Sequence, residues 1–269
     1  MRFAHSQLVA LFLVAFTCLV KPTQAQPSNA SALAEAIRGI EIYPDLYTAA
    51  KPILDRIPEY EKEIDSAKAF AIKQRLTVNI IGQSHYVNGV SPEIEARVRS
   101  SQSQVLALLE QQKPEVIAME NLEFPSITMA DFRKALFANC LPMAQGDSAK
   151  ANEGVSWVIN WSGSLQYADA HQRVRLVSSE DMPLHDLHEL ILKYVPPSDP
   201  ASPSTSPEGQ LELAVSRMRS ELGLAKVILV MKQIGGTRGA LAIGANHLSH
   251  YDDILPEYKM TTHTYNTTQ

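Results

Sequence analysis

The sequence predicts an α/β fold: a mainly parallel central sheet with helices on both faces, a helical N-terminal segment, and a single domain. Three observations lead there. Short β-branched or apolar runs recur along the chain, each bounded by a glycine, a proline or a charged turn. Longer stretches between them repeat their apolar residues at helical spacing. Strands that alternate with helices in this way pair in parallel, because each crossover helix returns the chain to the same edge of the sheet.

The elements follow in order. From Ser31 to Arg75 the pattern is helical and amphipathic, but Pro44, Pro52 and Pro58 interrupt it, which predicts several short helices. Leu76 to Gly82 (LTVNIIG) reads as a buried strand. Ser91-Pro92-Glu93 opens a helix with a capping hydroxyl, a first-turn proline and an acid at the positive dipole end. Ile94, Val98, Val105, Leu108 and Leu109 keep one face of it, and Lys113-Pro114 stops it. Glu115 to Met119 is a second strand, with helical stretches after it near Met129–Ala138 and Asn152–Ala170. Val174 to Val177 is a third strand. Residues 196–209 (PPSDPASPSTSPEG) hold five prolines and four serines and predict a loop. Leu211, Val215, Met218, Leu222, Ala225 and Leu229 then mark one buried face of a long helix, ended by Gly235-Gly236. Gly239 to Ile243 is a fourth strand, and residues 257–269 read as a polar, frayed tail.

Residues 1–25 stand apart as a signal peptide. Arg2 precedes a largely apolar run of thirteen, Leu8 to Val20, which Lys21-Pro22 break before Thr23-Gln24-Ala25. Thirteen helical residues cover about 20 Å, too short for a bilayer core of roughly 30 Å. The expectation is an exported chain, periplasmic or extracellular, with no membrane span in its mature part. Residues 26–256 then form the domain. Cys140 is its one cysteine, so no internal disulfide holds it and the core must. With 24 Lys+Arg against 29 Asp+Glu the net charge is −5, which offers nucleic acid no basic surplus.

Chemistry gathers where the strands end. The first runs into Gly82-Gln83-Ser84-His85, the second into Glu120, the third into Glu180-Asp181, and the fourth into Gly244-Ala245-Asn246-His247. Ligands of open parallel sheets bind beyond the carboxyl ends of the strands, and glycine lets the chain turn close to them. Two imidazoles and a carboxylate from separate strands suit a divalent metal such as Mn, Fe, Co or Zn. His85 and His247 are the expected ligands and Glu120 a ligand or general base. Glu180 is a second catalytic acid, or else it and Asp181 cap the helix that follows. A bound metal polarises a carbonyl and acidifies water, which suits hydrolysis of an amide or ester in a small-molecule or peptide substrate.

At these residues the chain resembles the TraB/Tiki superfamily, whose relatives include ChaN-type haem-binding and erythromycin-esterase-like proteins. The shared features are Gly82 to His85, Glu120, and Gly244 to His247 with Leu248, in that order over Leu76–Asp253. The resemblance implies a metal-dependent hydrolase, a peptidase in the Tiki branch. Gln83 stands where the ChaN and esterase-like branches carry Glu, so this motif supplies no acid of its own. The ChaN relatives imply an alternative, a non-catalytic haem or iron binder with Tyr86 or Tyr251 as an axial group.

Other candidates weigh less. Ser84 beside His85 lacks a nucleophile elbow. His185 and His188 share a helical face and read as exposed histidines, as does His250, at the same spacing from His247. Cys140 has no charged sequence neighbour to activate it. Trp157 and Trp161 fall at i, i+4 and either pack in the core or line the cleft.

Overall fold

The computed structural model describes residues 28–85, 91–120, 124–194 and 205–268. The leader expected at 1–25 and Tyr86 lie outside them, as does most of the expected 196–209 loop. The α/β fold is as the sequence predicts. Helices α1 (Asn29–Gly39) and α2 (Pro44–Lys73) precede β1 (Thr77–Gln83), and α3 (Pro92–Gln112) crosses to β2 (Val116–Met119). After a short β3 (Ile127–Thr128) come α4 (Met129–Met143), α5 (Ser148–Asn160) and α6 (Gly163–Ala170). Then follow β4 (Arg175–Ser178), α7 (Met182–Ile191), α8 (Pro207–Ile234) and β5 (Arg238–Gly244). A 3₁₀ turn (Ala245–His250), α9 (Tyr251–Tyr258) and β6 (Thr261–Asn266) complete it. The strand order is β3-β4-β2-β5-β1-β6, parallel throughout except for β3 against β4. Among the described residues no helix is long and apolar enough to cross a membrane.

Three sequence expectations change. α2 is one helix through Pro52 and Pro58, because Leu46, Ala50, Ile53, Ile57, Tyr60, Ile64, Ala67 and Ala71 form an unbroken buried stripe. Burial of that stripe outweighs two missing backbone donors. Pro207 to Gly209 are not loop but the first turn of α8, with Pro207 at its start and the Ser206 hydroxyl accepting from the Gly209 N–H. The polar tail contains β6, which pairs with β1 from Thr77↔Thr261 to Gly82↔Asn266. Its threonines favour extended backbone, and an edge strand has little apolar surface to show in the sequence.

The core lies on both sheet faces. α8, packed with α1 and α2 on one of them, is buried nearly all round between Leu211 and Met231. On the other, α3, α5 and α6 cover Ile81, Ile117, Leu176 and Ala240. The second layer is tight where α6 starts: a Cβ at Gly163 would lie 2.3 Å from the Gln102 carbonyl oxygen. Gly163→Ala is therefore expected to lose about 1–3 kcal/mol in urea denaturation, as overpacking does. Gly39, with nothing within 4 Å of its Cβ position, is the control; equal stability of the two alanine variants would contradict the packing described.

Candidate functional site at the carboxyl edge of the sheet

β5 lies between β1 and β2, so the three strand ends that carry the motifs are neighbours. Gln83 pairs with Gly244 and Met119 with Ala242, which sets His85, Glu120 and the turn after Gly244 around one point. Ser84, just before His85, is clamped on both sides. Its N–H donates to Ser101 Oγ, and its carbonyl accepts from Gln102 Nε2 at 2.8 Å. Gln102 Nε2 also donates to Gln83 Oε1, so Gln83 is turned toward α3 and takes no part in the cluster. The C-terminal segment buttresses the same turn through Thr267, which donates to the Gly82 carbonyl. Gly82 admits the second motif against the first: a Cβ there would meet Leu248 Cδ1 at 2.6 Å.

His85, Glu120 and His247 do come together. His85 Nε2 is 2.8 Å from Glu120 Oε2, which also accepts the Gly244 N–H at 2.6 Å. His247 Nε2 faces the other carboxylate oxygen at 3.4 Å. Gly244 walls the space between them; a Cβ there would stand 3.3 Å from His85 Nε2 and 3.4 Å from Glu120 Oε2. Side-chain exposure falls from 35% at His85 to 19% at His247 and 9% at Glu120, so the carboxylate is the floor and His85 the mouth. Burial, the largest influence on Glu120, favours its neutral acid. The His85 hydrogen bond, the two imidazoles and the Gly244 N–H outweigh it and hold the carboxyl below its ordinary range.

Ser220 on α8 decides how His247 presents itself. The Ser220 hydroxyl donates its only proton to the Ser216 carbonyl at 2.9 Å. His247 Nδ1 at 3.3 Å and His250 Nδ1 at 3.0 Å must then be the donors to Ser220 Oγ. That tautomer, assigned from the network, leaves the His247 Nε2 lone pair aimed at a carboxylate oxygen. Two acceptors facing each other are stable only with a cation between them. Burial pushes His247 below its ordinary pKa against the pull of Glu120.

Acid stability should show the same burial. Burial first, then the neighbouring His247 and Arg217, push His250 from 6.5 down to about 4. The unfolded chain takes up the proton first, so stability falls as pH drops through the interval from 6.5 to about 4. The shift corresponds to about 3 kcal/mol from this side chain. Urea midpoints between about pH 7 and about pH 4.5 should fall steeply in the parent and less than half as far in His250→Gln. Equal slopes would refute this assignment.

The other acids of the edge are placed elsewhere. Glu180, expected as a second catalytic acid, is buried and accepts from Arg219 at both oxygens, at 2.9 to 3.2 Å. Both its oxygens are engaged, and among the described residues no hydrogen bond or ion pair joins it to the His85–Glu120–His247 group. Asp181 caps α7 through the Leu184 N–H and holds Arg56 with both oxygens. His188 is not an exposed helix residue. Its Nδ1 accepts from Arg219 and its Nε2 therefore donates to Glu212. Tyr251, offered for haem, is buried with its hydroxyl donated to the Ser220 carbonyl. Of the two tryptophans, Trp157 is exposed and its ring lies 5.8 Å from that of Trp161, which Arg99 covers at 3.8 Å. Ser220 and Arg219 escape a reading of the sequence because the apolar stripe of α8 makes its other positions look solvated. The stretch 222–231, apolar all round except for Lys226, is the signal of an enclosed helix.

No family model, curated protein or solved structure matches this chain. Among the described residues no three His, Cys, Asp or Glu side chains stand as a preformed metal-holding group, and His85 and Glu120 are joined by a hydrogen bond. The donor set nevertheless fits. Two imidazoles and a carboxylate are borderline donors suited to Mn, Fe, Co and Zn. Donors about 2.0–2.2 Å from a tetrahedral ion lie about 3.3–3.6 Å apart, and His247 Nε2 and Glu120 Oε1 are separated by 3.4 Å. Admitting an ion between the three requires that the 2.8 Å His85–Glu120 contact open.

Proposed function

We propose that the protein is an exported hydrolase of amide or ester bonds whose centre is His85, Glu120 and His247, the three holding a divalent transition metal. The observation that carries this reading is the convergence of two imidazoles on one buried carboxylate, His85 Nε2 at 2.8 Å from Glu120 Oε2 and His247 Nε2 at 3.4 Å from Glu120 Oε1. The motif order supports it, being that of the TraB/Tiki proteins, and export is supported by the pattern of residues 1–25. Such a metal supplies Lewis-acid polarisation of a carbonyl and a more acidic water when bound. The chain's own part is positional. Gly244 keeps the space clear and its N–H fixes Glu120; Ser220 fixes the His247 ring; the Ser101 and Gln102 clamp on Ser84 sets His85 at the mouth.

A panel of nitrophenyl esters and aminoacyl nitroanilides tests the proposal. Hydrolysis should fall more than about 100-fold after chelation, since such catalysis depends on the metal outright. It should return with one of Mn, Fe, Co or Zn. Hydrolysis indifferent to chelator would overturn the metal's role, and no turnover of any substrate by the metal-loaded chain would overturn the hydrolase.

A further inference from the structure

Three buried or partly buried cations in this protein come with carboxylates. Arg56 holds Asp181, Arg219 holds Glu180, and Lys68 reaches Glu221 and Glu257. Lys226 on α8 differs. Among the described residues its Nζ has no carboxylate at ion-pair distance, and it donates to the backbone carbonyl of Glu180. An ammonium has three donors, and buried charge without a counter-charge is costly. Lys226 also lines a cavity of about 990 Å³ at the end of β4, whose other walls include Phe124, Val177, Met182, Pro183, Arg56 and the acids Glu180 and Asp181. The cavity adjoins the reactive edge: Ser178 in its wall pairs in register with Met119, the residue before Glu120.

We propose that this cavity binds a small carboxylate with an apolar chain, its chain against Phe124, Val177, Met182 and Pro183 and its anionic end on Lys226. The size is that of a small-molecule site. The two acids in the wall are matched, Asp181 by Arg56 and Glu180 by Arg219, which leaves Lys226 as the lining cation with no carboxylate at ion-pair distance among the described residues. Burial holds the Lys226 amine below its ordinary range despite Glu63, Asp181 and Glu180 around it, as expected of a cation short of direct pairing. The inference names the substrate class for the neighbouring centre, and rests on the hydrolase reading only in taking the bound group for a substrate.

Calorimetric titration of the chain with butyrate, hexanoate, octanoate, octanol and octylamine tests it without turnover, so it stands or falls apart from the hydrolase. Affinity should rise up to about fourfold per added methylene, and octanoate should bind at least about tenfold tighter than octanol, as a charge-assisted contact allows. Lys226→Met should remove that preference and Lys226→Arg keep it. Equal binding of octanoate and octanol, or an unchanged preference in Lys226→Met, would overturn the proposal, as would a preference for octylamine. Should Lys226→Met not fold, the parent's ranking of octanoate, octanol and octylamine decides.

Discussion

Arg219→Met is expected to lower the unfolding free energy by about 3–5 kcal/mol, because it strands the Glu180 carboxylate in the interior without its partner. Both groups are buried, and Arg219 uses two nitrogens on the two Glu180 oxygens while a third reaches His188. The double variant with Glu180→Leu should recover most of the loss, since replacing a buried pair by apolar residues is close to neutral. Urea denaturation of the two single variants and the double measures this as a cycle. Losses that merely add would mean that the pair is not the reason for either residue. Glu180→Gln should meanwhile leave the affinity for metal within about tenfold, less than the upper range for residues that support ligands.

Glu120→Gln has the larger effect on the site. The substitution keeps an acceptor for the Gly244 N–H but removes the charge shared by two imidazoles. Metal affinity should drop by more than the roughly 100-fold that outer residues cost, with turnover falling in step. Stability should change by only about 1–3 kcal/mol, the cost of imperfectly satisfied buried hydrogen bonds. Calorimetric metal titration beside a folding measurement separates the two. Retained affinity in a folded Glu120→Gln would remove the carboxylate from the ligand set.

The parts of this arrangement that the sequence displays are those that repeat a local signature. Gly82 to His85 and Gly244 to His247 each follow a short apolar run, so the strand end and its cargo are read together. Glu120 follows from the same logic. Glu180 shares the signature, yet its role is set by Arg219, which is 39 positions away and reaches it only through the packing of α8 on the sheet. Ser220 is hidden for the same reason, as its pairing with His247 and His250 depends on where α8 runs. β6 is obscured because its threonines sit on an exposed edge, and α2 because its prolines are local whereas the stripe that overrides them is spread over the whole helix.

The most direct measurement is elemental analysis of the purified chain beside His85→Ala and His247→Ala variants of confirmed folding. One transition metal per chain in the parent, and none in either variant, is the predicted result. A parent that takes up no metal after incubation with Mn, Co, Fe and Zn would contradict the central claim, and so would variants that keep it.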